Sequence, residues 1–149
     1  MKVLIQRVSR AQVNVKKDII GAIGPGLLVL VGVGQGDSEK EADWLAEKIV
    51  NLRVFSDEED QMNLSLLEVK GAVLLVSQFT LLGDCRKGRR PGFSQAAAPA
   101  EAERLYKYLG QRLTDSVPVS YGEFGAHMKI SLVNDGPVTF LIEKNPEGQ

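Results

Sequence analysis

One cysteine, one histidine and one tryptophan stand among 149 residues. A single thiol forms no disulfide framework, and one Cys with one His cannot furnish a zinc site built from those ligands. If this chain is a hydrolase, it works without a thiolate- or imidazole-held metal. Long hydrophobic runs are missing too. The most apolar stretch, residues 27–33, falls far short of the roughly 20 residues of a membrane helix. Residues 1–10 include Lys2, Arg7 and Arg10 and lack the apolar centre of a signal peptide. With a lone thiol, the expected setting is the reducing cytoplasm, with no membrane partner. Charge of one sign is absent as well: 18 Lys and Arg against 19 Asp and Glu give a formal net charge of −1. That excludes a basic coat for nucleic acid but leaves room for a local basic patch.

What is present fits a globular chain. Apolar residues make up 44% and charged residues 25%, so neither disorder nor a fibrous repeat is indicated. Residues 1–149 are expected to form one domain. Val3, Ile5, Val8, Val13 and Val15 alternate approximately, the pattern of a strand or hairpin. Residues 27–33 read as a strand covered on both faces. Ser38-Glu39-Lys40-Glu41 has the form of a helix-capping box, and Trp44, Leu45, Lys48, Ile49 and Leu52 follow at helical spacing. Residues 52–55 are expected to return to strand, and the polar 56–63 to loop out. Residues 72–76 form a second buried strand running into Ser77-Gln78-Phe79-Thr80-Leu81, followed by a basic, glycine-rich loop at 83–94. Pro99 opens a second amphipathic helix carrying Ala102, Leu105, Tyr106, Leu109 and Leu113. Strands follow at 117–120, 128–133 and 138–142, the last two joined by a turn at Asn134-Asp135-Gly136-Pro137. The fold class is α+β: one domain, a large mixed and barrel-like sheet, two amphipathic helices.

The chemistry offers few conventional centres. Ser77 and Thr80 end an apolar strand beside a glycine-rich loop, yet a hydroxyl needs a base to become a nucleophile. His127, the only histidine, lies about 50 residues away in sequence and reads most simply as a partly exposed strand residue. No G-x-S-x-G elbow occurs. Cys85 reads as an ordinary loop cysteine, and no carboxylate pair stands out. Arg86, Lys87, Arg89 and Arg90 place four cations in five residues around Gly88. Such a loop serves equally as a solubilising surface or as a phosphate-chain contact that reads no bases. Asn134 to Pro137 is most simply a hairpin corner. Were its X–Pro bond cis, two successive carbonyls would face nearly the same side.

Several segments together resemble the D-aminoacyl-tRNA deacylases: Met1-Lys2-Val3-Leu4-Ile5-Gln6-Arg7-Val8, Gly26-Leu27-Leu28-Val29-Leu30, Ser77-Gln78-Phe79-Thr80-Leu81, Arg90-Pro91 with Phe93-Ser94, and Val133-Asn134-Asp135-Gly136-Pro137-Val138-Thr139. The resemblance implies an enzyme that hydrolyses the ester of a D-aminoacyl-tRNA, and of glycine misattached to alanine tRNA. It implies a homodimer with active sites at the interface, where a cis Gly136-Pro137 from one subunit enters the other's pocket and rejects L-amino acids. Ser77, Gln78, Phe79 and Thr80 would form the catalytic segment, with Phe124 and Met128 near it. No cofactor and no metal are implied. Arg86, Lys87, Arg89 and Arg90 would then meet the acceptor stem. The residues alone leave two other readings, a non-catalytic RNA-binding module and a metal-independent hydrolase of small esters.

Overall fold

Alternation of small and β-branched residues makes the opening a single long strand, β1 (Lys2–Val15), with Val3, Ile5, Val8, Ala11 and Val13 buried. The structure is a computed structural model describing residues 1–148. A turn with Lys16 at φ 54° sends the chain back as β2 (Asp18–Ile23), antiparallel to the second half of β1. The first half of β1 pairs instead with β3 (Gly26–Gly32). β3 runs parallel to β6 (Ala72–Ser77), and β6 parallel to β7 (Val119–Tyr121). On the remaining side of β1 lies β8 (Lys129–Glu143), antiparallel along almost its whole length. The strand order is β2-β1-β3-β6-β7, with β8 attached to β1.

The sheet curls almost shut where β2 meets β7. The Ser120 hydroxyl donates to the Ala22 carbonyl at 3.1 Å. A Cβ on Gly21 would lie 2.5 Å from the Tyr121 carbonyl oxygen, so only glycine permits this approach.

Two helices cover one face of the sheet, as the two amphipathic patterns require. α1 (Glu39–Asn51) starts at Ser38, whose side chain and that of Glu41 satisfy each other's backbone amides. α3 (Pro99–Thr114) starts on a proline, where no amide is needed. Leu45 and Ile49 from α1 meet Leu105, Leu109 and Leu113 from α3 over Ile5, Val29 and Leu75. Each such side chain contributes about 1.5–3 kcal/mol when fully buried. The opposite parity, Leu28, Leu74 and Val76 with Val8 and Val13, fills the barrel interior. The continuous apolar run in β3 therefore serves two cores, as a strand covered on both faces should.

Three segments depart from the sequence reading. Residues 52–55 are not a core strand; only β4 (Phe55–Ser56) pairs there, with β5 (Met62–Leu64), across a turn where Asp57 accepts the amides of Glu59 and Gln61. A short third helix, α2 (Leu66–Val69), follows, capped reciprocally by Ser65 and Glu68. Its single turn buries only Leu66 and offers no periodicity to detect. The third departure bears on function: residues 134–137 do not join two strands of a hairpin. Both flanks belong to β8 and pair with the same strand, Asn134 opposite Val8 and Thr139 opposite Gln6. Five steps on β8 (139 − 134) thus face two on β1 (8 − 6), and the surplus bulges outward.

Candidate active site

The apolar run of β6 ends at Ser77, where the chain leaves the sheet. The Gln78 amide donates to the Val31 carbonyl at 2.7 Å, fixing the exit to the end of β3. Phe79 to Leu82 then wind into one turn of 3-10 helix. This places Ser77, Gln78 and Phe79 on the wall of a cavity of about 490 Å³. Phe124, His127 and Met128 close another side, with Pro99 and Ala102 from the start of α3. Val76, Met128 and Ile130 line both this cavity and the barrel interior, so the cavity is the open end of the barrel.

Six expected residues are thereby resolved in space. Ser77, Gln78, Phe79, Phe124 and Met128 come together, while Thr80 stands exposed just outside, its hydroxyl accepting a hydrogen bond from the Gln78 side-chain Nε2. Among the described residues, no carboxylate or imidazole is hydrogen-bonded to Ser77 or Thr80. His127 is not part of a strand but exposed in the loop before β8, on the cavity wall. Beneath the cavity, Tyr106 is 4% exposed. Its hydroxyl donates to the Leu75 carbonyl at 2.8 Å, and its ring packs 6.0 Å from Phe124. Burial pushes this phenol well above its ordinary range, so it remains a neutral donor.

Gly136 and Pro137 lie elsewhere in the same chain. Their peptide bond is cis, both residues are exposed, and neither lines the cavity. The bulge is nonetheless tightly held. The Val138 backbone amide donates to the Asn134 side-chain oxygen at 2.8 Å, and the Asn134 side-chain Nδ2 donates to the Thr139 hydroxyl at 2.9 Å. Arg7 supplies the main rivet, donating to the Asp135 carbonyl at 2.8 Å and to the Val54 carbonyl at 2.7 Å. The sequence assigns Arg7 no role of its own; its one signal is a cation where the alternation of Val3 and Ile5 calls for an apolar residue.

The basic cluster divides. Arg86 is committed to Asp84 through paired contacts of 2.9 and 2.8 Å and lines a different cavity, beside Cys85 and Met1. The Arg86 guanidinium holds the Asp84 carboxyl down at about 2. Lys87, Arg89 and Arg90 are exposed and form no ion pair among the described residues. Their loop is tied back by Asp84 and Gly92, whose amides each donate to the other's carbonyl. It reaches the cavity through Phe93, packed edge-on against Phe79 at 5.0 Å.

With this geometry in view, the family model for D-Tyr-tRNA(Tyr) deacylase matches residues 4–143. The chain belongs to this family. A protein of Geobacter sp. (strain M21) named D-aminoacyl-tRNA deacylase is 60% identical over 99% of each chain. A solved structure described as a c-Myc DNA unwinding element binding protein superposes with a TM-score of 0.92 at 39% identity, covering 98% of this chain and 100% of that one. Another, described as a probable eukaryotic D-amino acid tRNA deacylase, shares the fold with a TM-score of 0.80 at 18% identity, over 95% and 97% of the two chains. The deacylase family is one of hydrolases, and its α+β fold with a mixed barrel-like sheet is the architecture described above. No helix among the described residues is long and apolar enough to cross a membrane.

Proposed function

We propose that this protein hydrolyses the ester between a D-amino acid and the terminal ribose of tRNA, as a cytoplasmic homodimer with two interfacial sites. Water adds to the ester carbonyl, the carbon–oxygen bond to ribose breaks, and that ribose oxygen takes a proton. One observation carries the reading. Among the described residues the cavity wall has no carboxylate to hold an α-ammonium, whereas the same chain holds Gly136 and Pro137, with their backbone acceptors, on an exposed and well-tied bulge away from it. A second copy resolves the mismatch by inserting Gly136-Pro137 into the cavity. Supporting this, β8 pairs only with β1 among the described strands and exposes Val133, Phe140 and Leu141, apolar side chains along an open edge of the kind that another chain covers.

Carbonyls gripping the ammonium, with the ester held in the cavity, orient the α-carbon. An L side chain is then driven into backbone that cannot yield, and a D side chain points to open space. Discrimination by exclusion is efficient where attractive contacts barely differ between enantiomers. Glycine has nothing to exclude, so it passes the filter. The first amides of the 3-10 turn, at Phe79 and Thr80, have no carbonyl partner within that turn and are suited to a developing oxyanion.

The purified protein is expected to elute as a dimer and to release tyrosine from D-tyrosyl-tRNA and glycine from glycyl-tRNA, sparing L-tyrosyl-tRNA. Equal treatment of both tyrosine enantiomers would reduce the protein to an RNA binder or an unselective esterase.

Lys87, Arg89 and Arg90 stand where they would draw in the acceptor stem, a role in binding alone. Arg89→Ala with Arg90→Ala is expected to raise KM for the tRNA about tenfold at physiological salt and to leave enantiomer preference intact. Lost preference in that variant would contradict the separation of steering from selection.

A further inference from the structure

Among the described residues, His127 is the only ionisable side chain on the cavity wall; its neighbours there, among them Val76, Ala97, Phe124 and Met128, are apolar, and Ser77 and Gln78 are neutral. No ion pair or side-chain hydrogen bond engages His127 among the described residues. It is also placed at the mouth. Along this loop exposure alternates, with Phe124, Ala126 and Met128 half-buried and Glu123, Gly125 and His127 exposed. The unpaired cations of the basic loop, Lys87, Arg89 and Arg90, are not on the wall, so they leave the charge nearest the ester unmatched.

That charge is chemically fixed by the substrate. Whatever the amino acid, the esterified ribose carries a phosphodiester on its 5′ oxygen, one sugar away from the bond that breaks. A substrate seated with its ester in the cavity carries this phosphate out through the mouth. We propose that His127 is a binding residue that donates an imidazole N–H to the phosphate joining the last two nucleotides. The inference rests on the ester-hydrolase reading above and specifies how that site recognises its substrate. Imidazole has an N–H to donate whether neutral or protonated. Hydrogen bonds to a charged group are among the stronger ones, and this one sits at a wet rim, so about a tenfold contribution to binding is expected.

The test uses D-tyrosyl-tRNA with either the natural linkage or a neutral methylphosphonate between its last two nucleotides. With the natural protein, neutralising the linkage should raise KM about tenfold and change kcat less than about twofold. In His127→Ala, KM for the natural substrate should already be raised, and the methylphosphonate should add nothing. His127→Arg should restore sensitivity to the linkage. A merely structural histidine would not produce this dependence on the substrate's charge. Independent, multiplicative effects of the two changes would overturn the proposal, as would full linkage sensitivity in His127→Ala. Failure of the unaltered protein to cleave natural D-tyrosyl-tRNA would overturn the underlying ester-hydrolase reading, and this inference with it.

Discussion

D-Aminoacyl-tRNA ending in 2′-deoxyadenosine will be cleaved at least about a hundredfold more slowly than the same tRNA with its ribose intact, a loss of the size expected when a positioned proton-transfer group is removed. The expectation follows from what surrounds the cavity. Ser77 and Thr80 are the only hydroxyls of the Ser77–Leu81 segment, and neither is hydrogen-bonded to a base among the described residues. Thr80 uses its oxygen to accept from Gln78, an amide that cannot take up a proton. The substrate's vicinal hydroxyl lies beside the ester in every aminoacyl-tRNA and would supply the proton-transfer group that neither Ser77 nor Thr80 has bonded to it. The protein would then contribute orientation and amide donors. Thr80→Ala is the companion measurement: it should retain turnover within about tenfold, since the lost contact is a single neutral hydrogen bond. Undiminished cleavage of the deoxy substrate, together with an inert Thr80→Ala, would restore Thr80 as nucleophile.

The second large effect is expected from Gly136→Ala. Gly136 has φ +146°, a region that L side chains rarely adopt. A Cβ there would lie 2.9 Å from the Val138 amide nitrogen, 2.6 Å from Val138 Cγ2 and 3.1 Å from the Arg7 guanidinium. Backbone has to move, and the rivet made by Arg7 is in the way. A shift of the order of 1 Å in a positioning group costs about a hundredfold in rate. D-tyrosyl-tRNA hydrolysis should fall by roughly that factor, while the L-to-D rate ratio rises because the excluding oxygens lose their aim. The bulge is exposed, so stability should drop by only about 1–3 kcal/mol. Circular dichroism and gel filtration should therefore report a folded dimer. A variant that hydrolyses the D substrate normally and still rejects the L form would remove Gly136 from the selection step.

Much of the fold was legible because it rests on periodicity. Leu27 to Val31 serve two cores and read as a two-sided strand, and the Ser38–Glu41 box announced α1. The short elements α2, β4 and β5 were not legible. They bury too little to impose a pattern and are held by side-chain caps such as Ser65 and Asp57. The site was half legible. Ser77 to Thr80 could be placed at a strand end, but nothing local says that the loop carrying His127 folds back against them. Asn134 to Pro137 misled, since turn-forming residues look alike whether a chain reverses or only swells. Arg86 counts among four cations in the sequence, but Asp84, two positions before it, pairs with it and removes one from the basic cluster.

The way β8 lies along β1 has a consequence for how this chain tolerates change in length. Its outward swelling is flanked on both sides by residues registered to one uninterrupted strand. Deleting a single residue between Asn134 and Thr139 would slide one flank by about 3.3 Å and turn its side chains to the opposite face. The turn between β4 and β5 bears no such constraint. Insertions and deletions should therefore accumulate at residues 57–61 and be purged from 134–139, because the aim of that corner is inherited from the ladder beside it.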